Sequence, residues 1–261
     1  MKESFDLGKI RELFYEAKAS CLSRQNAADI HEKGRCNFVT KADTDMQQFI
    51  RKRLKMLWPS VQFMGEEQDN SGIDIHGDFW ILDPIDGTSN LIHDFHRSCV
   101  SLALCIDGAP YAGAIFDLYT EEFFYAERGK GAYANGSPIH VSPIEEAENS
   151  LICVGTSPYY KEELGTRNMD DMRKIFFTFE DIRRTGSAAL DIAYTAAGRA
   201  EAFFERRLQP WDYAAGALIT KESGGTAETL SGEPLSFTHA EDVLLGNGAV
   251  VKKIRELLLK G

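Results

Sequence analysis

Eleven residues, Trp80-Ile81-Leu82-Asp83-Pro84-Ile85-Asp86-Gly87-Thr88-Ser89-Asn90, hold the densest chemistry in the chain. An apolar run ends on a carboxylate, a proline follows, and a second carboxylate comes three residues after the first. Pro84 has a fixed φ and no N–H, so the strand read over Trp80–Leu82 is expected to end there and turn. Asp83 and Asp86 can then face one point. Gly87 allows close backbone approach, and Thr88, Ser89 and Asn90 are residue types that cap helices. A helix start offers unpaired N–H groups to an anion such as phosphate. Other acids also sit at the ends of apolar runs: Asp43 at a helix start, Glu66-Glu67 after a strand, and Asp212 opening a helix. If Glu66, Asp83, Asp86 and Asp212 converge within about 5 Å, each like-charge pair costs on the order of 3 kcal/mol at an effective dielectric of about 20. Several such pairs rival the total stability of a domain, so either protons or divalent cations must sit among them. Oxygen-only ligands that leave room for water favour Mg²⁺ over zinc or copper. Convergence itself is not visible in a sequence, and an Asp-rich turn beside a capped helix has the same spacing.

The elements that would position these acids follow from periodicity. Leu7, Ile10, Leu13, Phe14, Ala17 and Cys21 predict an amphipathic helix, and Met46, Phe49, Ile50, Leu54 and Leu57 a second one, stopped at Trp58-Pro59. Asn26 to Arg35 reads as a mobile polar loop carrying Lys33, which is either solvated or swung toward the acids. Val61 to Met64 predicts a strand delivering Gly65-Glu66-Glu67. Cys99–Ile106, Tyr111–Phe116, Glu122–Ala126 and Ala132–Ala134, with turns at Asp107-Gly108 and Asn135-Gly136, predict an antiparallel meander. Beyond it come a strand at LICVG, helices over Met169–Phe179 and Ser187–Ala197, and a strand at Ala202–Phe204. A helix over Trp211–Lys221, a strand at Val243–Leu245 and a helix over Val250–Lys260 complete the pattern. The expected organisation is an α+β half (1–148) followed by an α/β half (149–261), together one catalytic unit.

Composition narrows the class. A chain of 261 residues can bury a large core. Its net charge of -11 argues against a nucleic-acid or anionic-membrane surface. Five cysteines without a C-x-x-C pair are expected to be reduced thiols. The opening MKESFDLGKI lacks the apolar core of a signal peptide, and no run reaches membrane-spanning length, so the expected location is the cytoplasm.

Gly65-Glu66-Glu67, the block Asp83-Pro84-Ile85-Asp86-Gly87-Thr88 with Asn90, and Trp211-Asp212-x-Ala214-Ala215-Gly216 resemble the three signatures of the inositol monophosphatase family. Val39-Thr40-x-Ala42-Asp43 and Arg184-x-Gly186-Ser187-Ala188-Ala189 match further family segments, in the right order over most of the chain. The resemblance implies a five-layer αβαβα sandwich, the sugar-phosphatase fold, and hydrolysis of small phosphate monoesters with two or three Mg²⁺ ions. On these residues it implies that Glu66, Asp83 and the Ile85 carbonyl hold one ion and that Asp83, Asp86 and Asp212 hold a second, with Glu66 also assisting a third. Thr88 with Asp43 would orient the attacking water, and the N–H groups of Gly87, Thr88 and Ser89 would cradle the phosphate. Asp86, the Ala188 backbone, Glu205 and Asp212 would hold the alcohol. The same resemblance implies a homodimer inhibited by Li⁺. Asn90 and Glu205 favour myo-inositol monophosphates over fructose 1,6-bisphosphate, histidinol phosphate or 3′-phosphoadenosine 5′-phosphate; a regulatory binding protein that keeps the fold is the alternative from another class. A Glu205 exposed at a strand end and paired with Arg206 or Arg207 is the structural alternative for that residue.

The chain departs from the family pattern at Ser89-Asn90-Leu91, where Thr-Asn-Phe is common, and at His96, where proline is common. His93-x-x-His96 resembles a soft-metal pair but is set among hard oxygen ligands. Gly129-x-Gly131 fails the dinucleotide spacing and reads as a hairpin, and Phe176, Phe177 and Phe179 read as helix-face core.

Overall fold

The computed structural model describes residues 6–259. The opening MKESF and Lys260, to which the periodicity extends the last helix, lie outside the described residues. The first part runs α1 (Leu7–Cys21), α2 (Arg24–Ala28), β1 (Ile30–Gly34), β2 (Asn37–Thr40), α3 (Lys41–Leu57), β3 (Gln62–Gly65), β4 (Phe79–Asp86) and α4 (Thr88–Ile92). It continues through β5 (Cys99–Ile106), β6 (Ala109–Asp117), β7 (Phe123–Glu127), β8 (Ala132–Ala134) and β9 (Ser137–Pro138). The second part comprises β10 (Leu151–Val154), α5 (Lys161–Thr178), β11 (Asp181–Arg183), α6 (Ala188–Ala196) and β12 (Ala202–Leu208). It ends with α7 (Pro210–Glu222), β13 (Thr226–Thr229), β14 (Glu241–Gly246) and α8 (Gly248–Leu259).

Strands β3 to β9 form a seven-stranded sheet in sequence order, β10 to β14 form a five-stranded sheet ordered β11-β10-β12-β14-β13, and β1 and β2 form a separate two-stranded sheet. Alternation along the buried strands directs residues to opposite faces. In β4, Trp80 and Leu82 join Ile10, Phe14, Met46 and Ile50 of α1 and α3, while Phe79 and Ile81 join Ala189, Ala193, Ala214 and Ile219 of α6 and α7. The same rule in β12 sends Phe203 to Ile192 and Tyr213, and Phe204 to Ile175 and Ile254 of α5 and α8. The layers are therefore α1/α3, first sheet, α6/α7, second sheet and α5/α8, the expected αβαβα sandwich. The central helix layer lies tight on the first sheet because Gly113 has no side chain; a Cβ there would stand 2.9 Å from the Ala215 backbone.

Several features differ from the sequence reading. The stretch from Asn26 to Arg35 is not a loop: it holds the end of α2 and the strand β1, which pairs antiparallel with β2. All five β1 residues are exposed, so no buried alternation marks the strand in the sequence. Strand β4 does not stop at Pro84; a register shift between Asp83 and Asp86 absorbs the proline, and pairing resumes at Asp86 with Cys99. Gly87 caps α4, so Thr88, Ser89 and Asn90 form its first turn rather than its cap. Of the three phenylalanines read as core, only Phe179 is buried, whereas Phe176 and Phe177 are 51% and 77% exposed. The periodicity also underestimates β12, which carries Glu205 inside the strand, and misses the three- and four-residue strands β11 and β13. Among the described residues, no helix is long and apolar enough to cross a membrane.

Candidate metal and phosphate site

The irregular end of β4 turns Asp83 and Asp86 toward the first turn of α7. Asp83 accepts a hydrogen bond from the Ile85 N–H at 2.9 Å. Asp86 accepts from Ser187 Oγ at 2.6 Å and from the Ala189 N–H at 2.7 Å, which ties the first sheet to the start of α6. Asp212 closes a capping box at the head of α7 by accepting from the Gln209 N–H at 3.1 Å. One oxygen from each of Asp83, Asp86 and Asp212 lies within 4.8 Å of the other two. Burial raises all three carboxyl groups, and repulsion from neighbouring acids pushes Asp83 and Asp212 well above the ordinary range. Among the described residues, no lysine or arginine forms an ion pair with any of them. Three converging hard-oxygen donors, two of them buried and Asp212 half-buried, with no basic partner, fit a divalent cation such as Mg²⁺.

Glu66 stands apart from this trio. Its Oε1 accepts from Lys33 Nζ at 3.1 Å, and Lys33 also binds Glu67 at 2.7 Å. Burial opposes the Lys33 charge, but Glu66 and Glu67 outweigh it and raise its pKa to about 12. Burial raises Glu66 to about 7 despite the lysine. The polar segment read as a loop thus folds its lysine onto the outer acids and leaves the inner three uncompensated.

Beside the trio, Thr88 and Asp43 are joined by a hydrogen bond. Thr88 Oγ1 donates to Asp43 Oδ1 at 2.8 Å, with the Ile85 carbonyl also in reach at 3.1 Å. The other Asp43 oxygen accepts from Thr40 N at 2.8 Å and Thr40 Oγ1 at 2.5 Å, so the capping box of α3 fixes the carboxylate. Asp43 is fully buried, and that burial raises its pKa against three hydrogen bonds that lower it. Gly87, at φ 91°, turns the chain from β4 into α4. A Cβ there would come within 2.7 Å of the Arg97 carbonyl. Gly87→Ala is therefore expected to destabilise the fold by about 1–3 kcal/mol, measurable by urea unfolding. With only five residues, α4 offers individual N–H groups to an anion and no sizeable macrodipole.

These groups border a cleft of about 130 Å³ that reaches Gly87, Thr88 and Ser89 on one side and Ala188, Glu205 and Asp212 on the other. Glu205 is 7% exposed and accepts from the Ser157 N–H at 2.8 Å, not from either neighbouring arginine. Arg206 instead pairs with Asp171 and Asp242, and Arg207 with Glu163. Gly155 makes room for Glu205, because a Cβ there would overlap the carboxylate. Asn90 is a brace: its Nδ2 donates to the Arg97 carbonyl at 2.6 Å and the Thr185 carbonyl at 3.0 Å. His96 pairs with Asp94 at 2.8 Å and stacks on Tyr119, with no third metal ligand beside it among the described residues.

The sequence reading gives no role to two residues of the site: Ser187, quoted only within a matched segment, which binds Asp86, and Asp191, which lines the cleft. The available signal is an acid within the apolar run Ala189-Leu190-Asp191-Ile192-Ala193. Burial raises Glu205 and Asp191 each to about 7, from 4.5 and 3.8. Because the folded state holds these protons longer than the unfolded chain, the stability they allow is full below about pH 4 and lost as pH rises through about 7. The metal-free protein is expected to melt progressively lower from pH 4.5 to 8, with Asp191→Asn removing part of that decline.

Two main sheets, three helix layers and an acidic, hydroxyl-bearing cleft define an αβαβα sandwich with a site suited to a hard cation. Residues 10–260 match the inositol monophosphatase family. The Nus factor SuhB of Xylella fastidiosa is 36% identical over 78% of this chain and 73% of its own length. The inositol-1-monophosphatase of Rhizobium meliloti is 35% identical over 87% of this chain and 84% of its own. The crystal structure of the extragenic suppressor protein suhB from Bartonella henselae superposes with a TM-score of 0.86 at 32% identity, covering 97% of this chain and 95% of that one. The chain belongs to the inositol monophosphatase family.

Proposed function

We propose that the protein is a Mg²⁺-dependent phosphomonoesterase that hydrolyses myo-inositol monophosphates to inositol and phosphate. The observation that carries this reading is the convergence of Asp83, Asp86 and Asp212 within 4.8 Å, without a basic partner, beside the Thr88–Asp43 pair. Glu66, Asp83 and the Ile85 carbonyl would hold one ion, Asp83, Asp86 and Asp212 a second, and Glu66 would assist a third. When bound, Mg²⁺ supplies positive charge for the phosphate oxygens and acidity for a water. Thr88 donates its own hydrogen to Asp43, which leaves the Oγ1 lone pairs to orient an attacking water and take its proton. The raised affinity of Asp43 for a proton suits it to be the final acceptor. The N–H groups of Gly87, Thr88 and Ser89 hold the phosphate, and Asp86, the Ala188 backbone, Glu205 and Asp212 hold the polyol hydroxyls. The halves 1–148 and 149–261 act as one unit, supported by the Ser187 and Ala189 bonds to Asp86. A cytoplasmic homodimer inhibited by Li⁺ completes the reading.

Parallel assays on inositol 1-phosphate, fructose 1,6-bisphosphate, histidinol phosphate and 3′-phosphoadenosine 5′-phosphate test the substrate. A kcat/KM for inositol phosphate about a hundredfold below another substrate, some 2.7 kcal/mol in transition-state binding, sinks the inositol assignment. A regulatory binding protein that retains the fold is the second reading, favoured by the name Nus factor carried by a 36% identical relative. Failure to release phosphate from any small ester in millimolar Mg²⁺ favours it over the first.

A further inference from the structure

Asp191 is 2% exposed in the first turn of α6 and lines the same cleft as Asp86 and Glu205. One of its oxygens, Oδ1, is buried without a hydrogen-bond partner. A carboxyl group in such company lowers stability, and an apolar side chain would fit the surrounding Ala189, Leu190 and Ile192 better. The other oxygen, Oδ2, accepts from the Thr185 N–H at 3.3 Å. Thr185 opens the turn that delivers the Asp86 ligands: its hydroxyl accepts from the Ser187 N–H at 3.2 Å, and its carbonyl accepts from Asn90 at 3.0 Å. Ser187 Oγ and the Ala189 N–H then hold the inner oxygen of Asp86. The turn is thus gripped from α4 by Asn90 and from α6 by Asp191.

We propose that Asp191 is a positioning residue that fixes the 185–189 turn, and through it the direction of the Asp86 carboxylate. Its hydrogen bond goes to Thr185 in the turn and not to Asp86 itself. Its contribution is the acceptor oxygen, not the negative charge, so Asn in the same place preserves the bond. This inference rests on Asp86 holding a cation, as in the function proposed above. Removing a direct hydrogen-bond partner of a ligand typically lowers metal affinity about 10–100-fold, and Asp191, which acts through Thr185 and Ser187, is expected at the low end of that range.

Hydrogen–deuterium exchange of segment 184–189 and the Mg²⁺-induced rise in melting temperature are measured for the wild type, Asp191→Ala and Asp191→Asn. Exchange in β5 serves as the reference for global loosening. In Asp191→Ala the segment is expected to exchange at least tenfold faster with β5 unchanged, and half-saturation by Mg²⁺ to move about tenfold higher. Asp191→Asn is expected to bring both back within threefold of the wild type. The inference is overturned if Asp191→Ala stays within twofold on both measures, if β5 loosens equally, or if Asp191→Asn is as impaired as Asp191→Ala. A wild type that binds Mg²⁺ yet cleaves no phosphomonoester defeats the proposed function alone, because neither readout requires turnover.

Discussion

Asp86→Asn is expected to reduce phosphate release by about 10³-fold or more at saturating substrate while leaving the fold intact. The substitution keeps shape and hydrogen-bonding reach, so Ser187 Oγ and the Ala189 N–H retain an oxygen to bind. What disappears is one negative charge from a trio that has no lysine or arginine among it. A cation held by two acids instead of three is bound less tightly and placed less well. A loss on the order of 4 kcal/mol of transition-state charge stabilisation corresponds to about 10³ in rate. Without metal, the variant is expected to be at least as stable as the wild type, because a repelling buried charge is gone. Rising stability with vanishing activity separates a metal role from a structural one. Wild-type kcat in Asp86→Asn refutes the assignment.

The second large effect falls on chemistry rather than binding. Thr88→Ala is expected to lower kcat about 10²–10⁴-fold, the range for a positioned proton-transfer group. Half-saturation by Mg²⁺ is expected to stay within about threefold, since the Oγ1 hydrogen bond goes to Asp43 and not to the trio. Thr88→Ser, which keeps the hydroxyl, is expected to recover most of the rate. A Mg²⁺ titration of phosphate release for the three proteins gives both numbers at once. A tenfold shift in Mg²⁺ requirement with little change in kcat places Thr88 among the metal-positioning groups instead.

Much of this site is legible in one dimension because its residues break local rules. Asp83 and Asp86 follow a run of four buried apolar residues, where a solvated acid has no reason to be, and Glu205 interrupts a buried strand. The layer order is readable for a related reason: strands buried on both faces and helices with one apolar stripe carry strong periodic signals. Legibility fails where burial does not pattern the chain. The β1–β2 hairpin, exposed along β1, therefore reads as a loop, and the ion pairs of Lys33 with Glu66 and Glu67 depend on it. Pro84 reads as a stop because the register shift that accommodates it belongs to the pairing with β5. The meeting of Asp212 with Asp83 is tertiary: it requires α7 to sit on the first sheet, at the approach that Gly113 permits. Asp191 is hidden for the same reason, since its bond to Thr185 exists only once the turn before α6 is folded.

Anomalous diffraction from crystals grown with Mn²⁺ in place of Mg²⁺ tests the shared cation most directly. The expected map has a peak within about 2.5 Å of an oxygen of each of Asp83, Asp86 and Asp212, at ordinary hard-cation distances. A map with no peak among those three carboxylates, or with its strongest peak on His93 or His96, contradicts it.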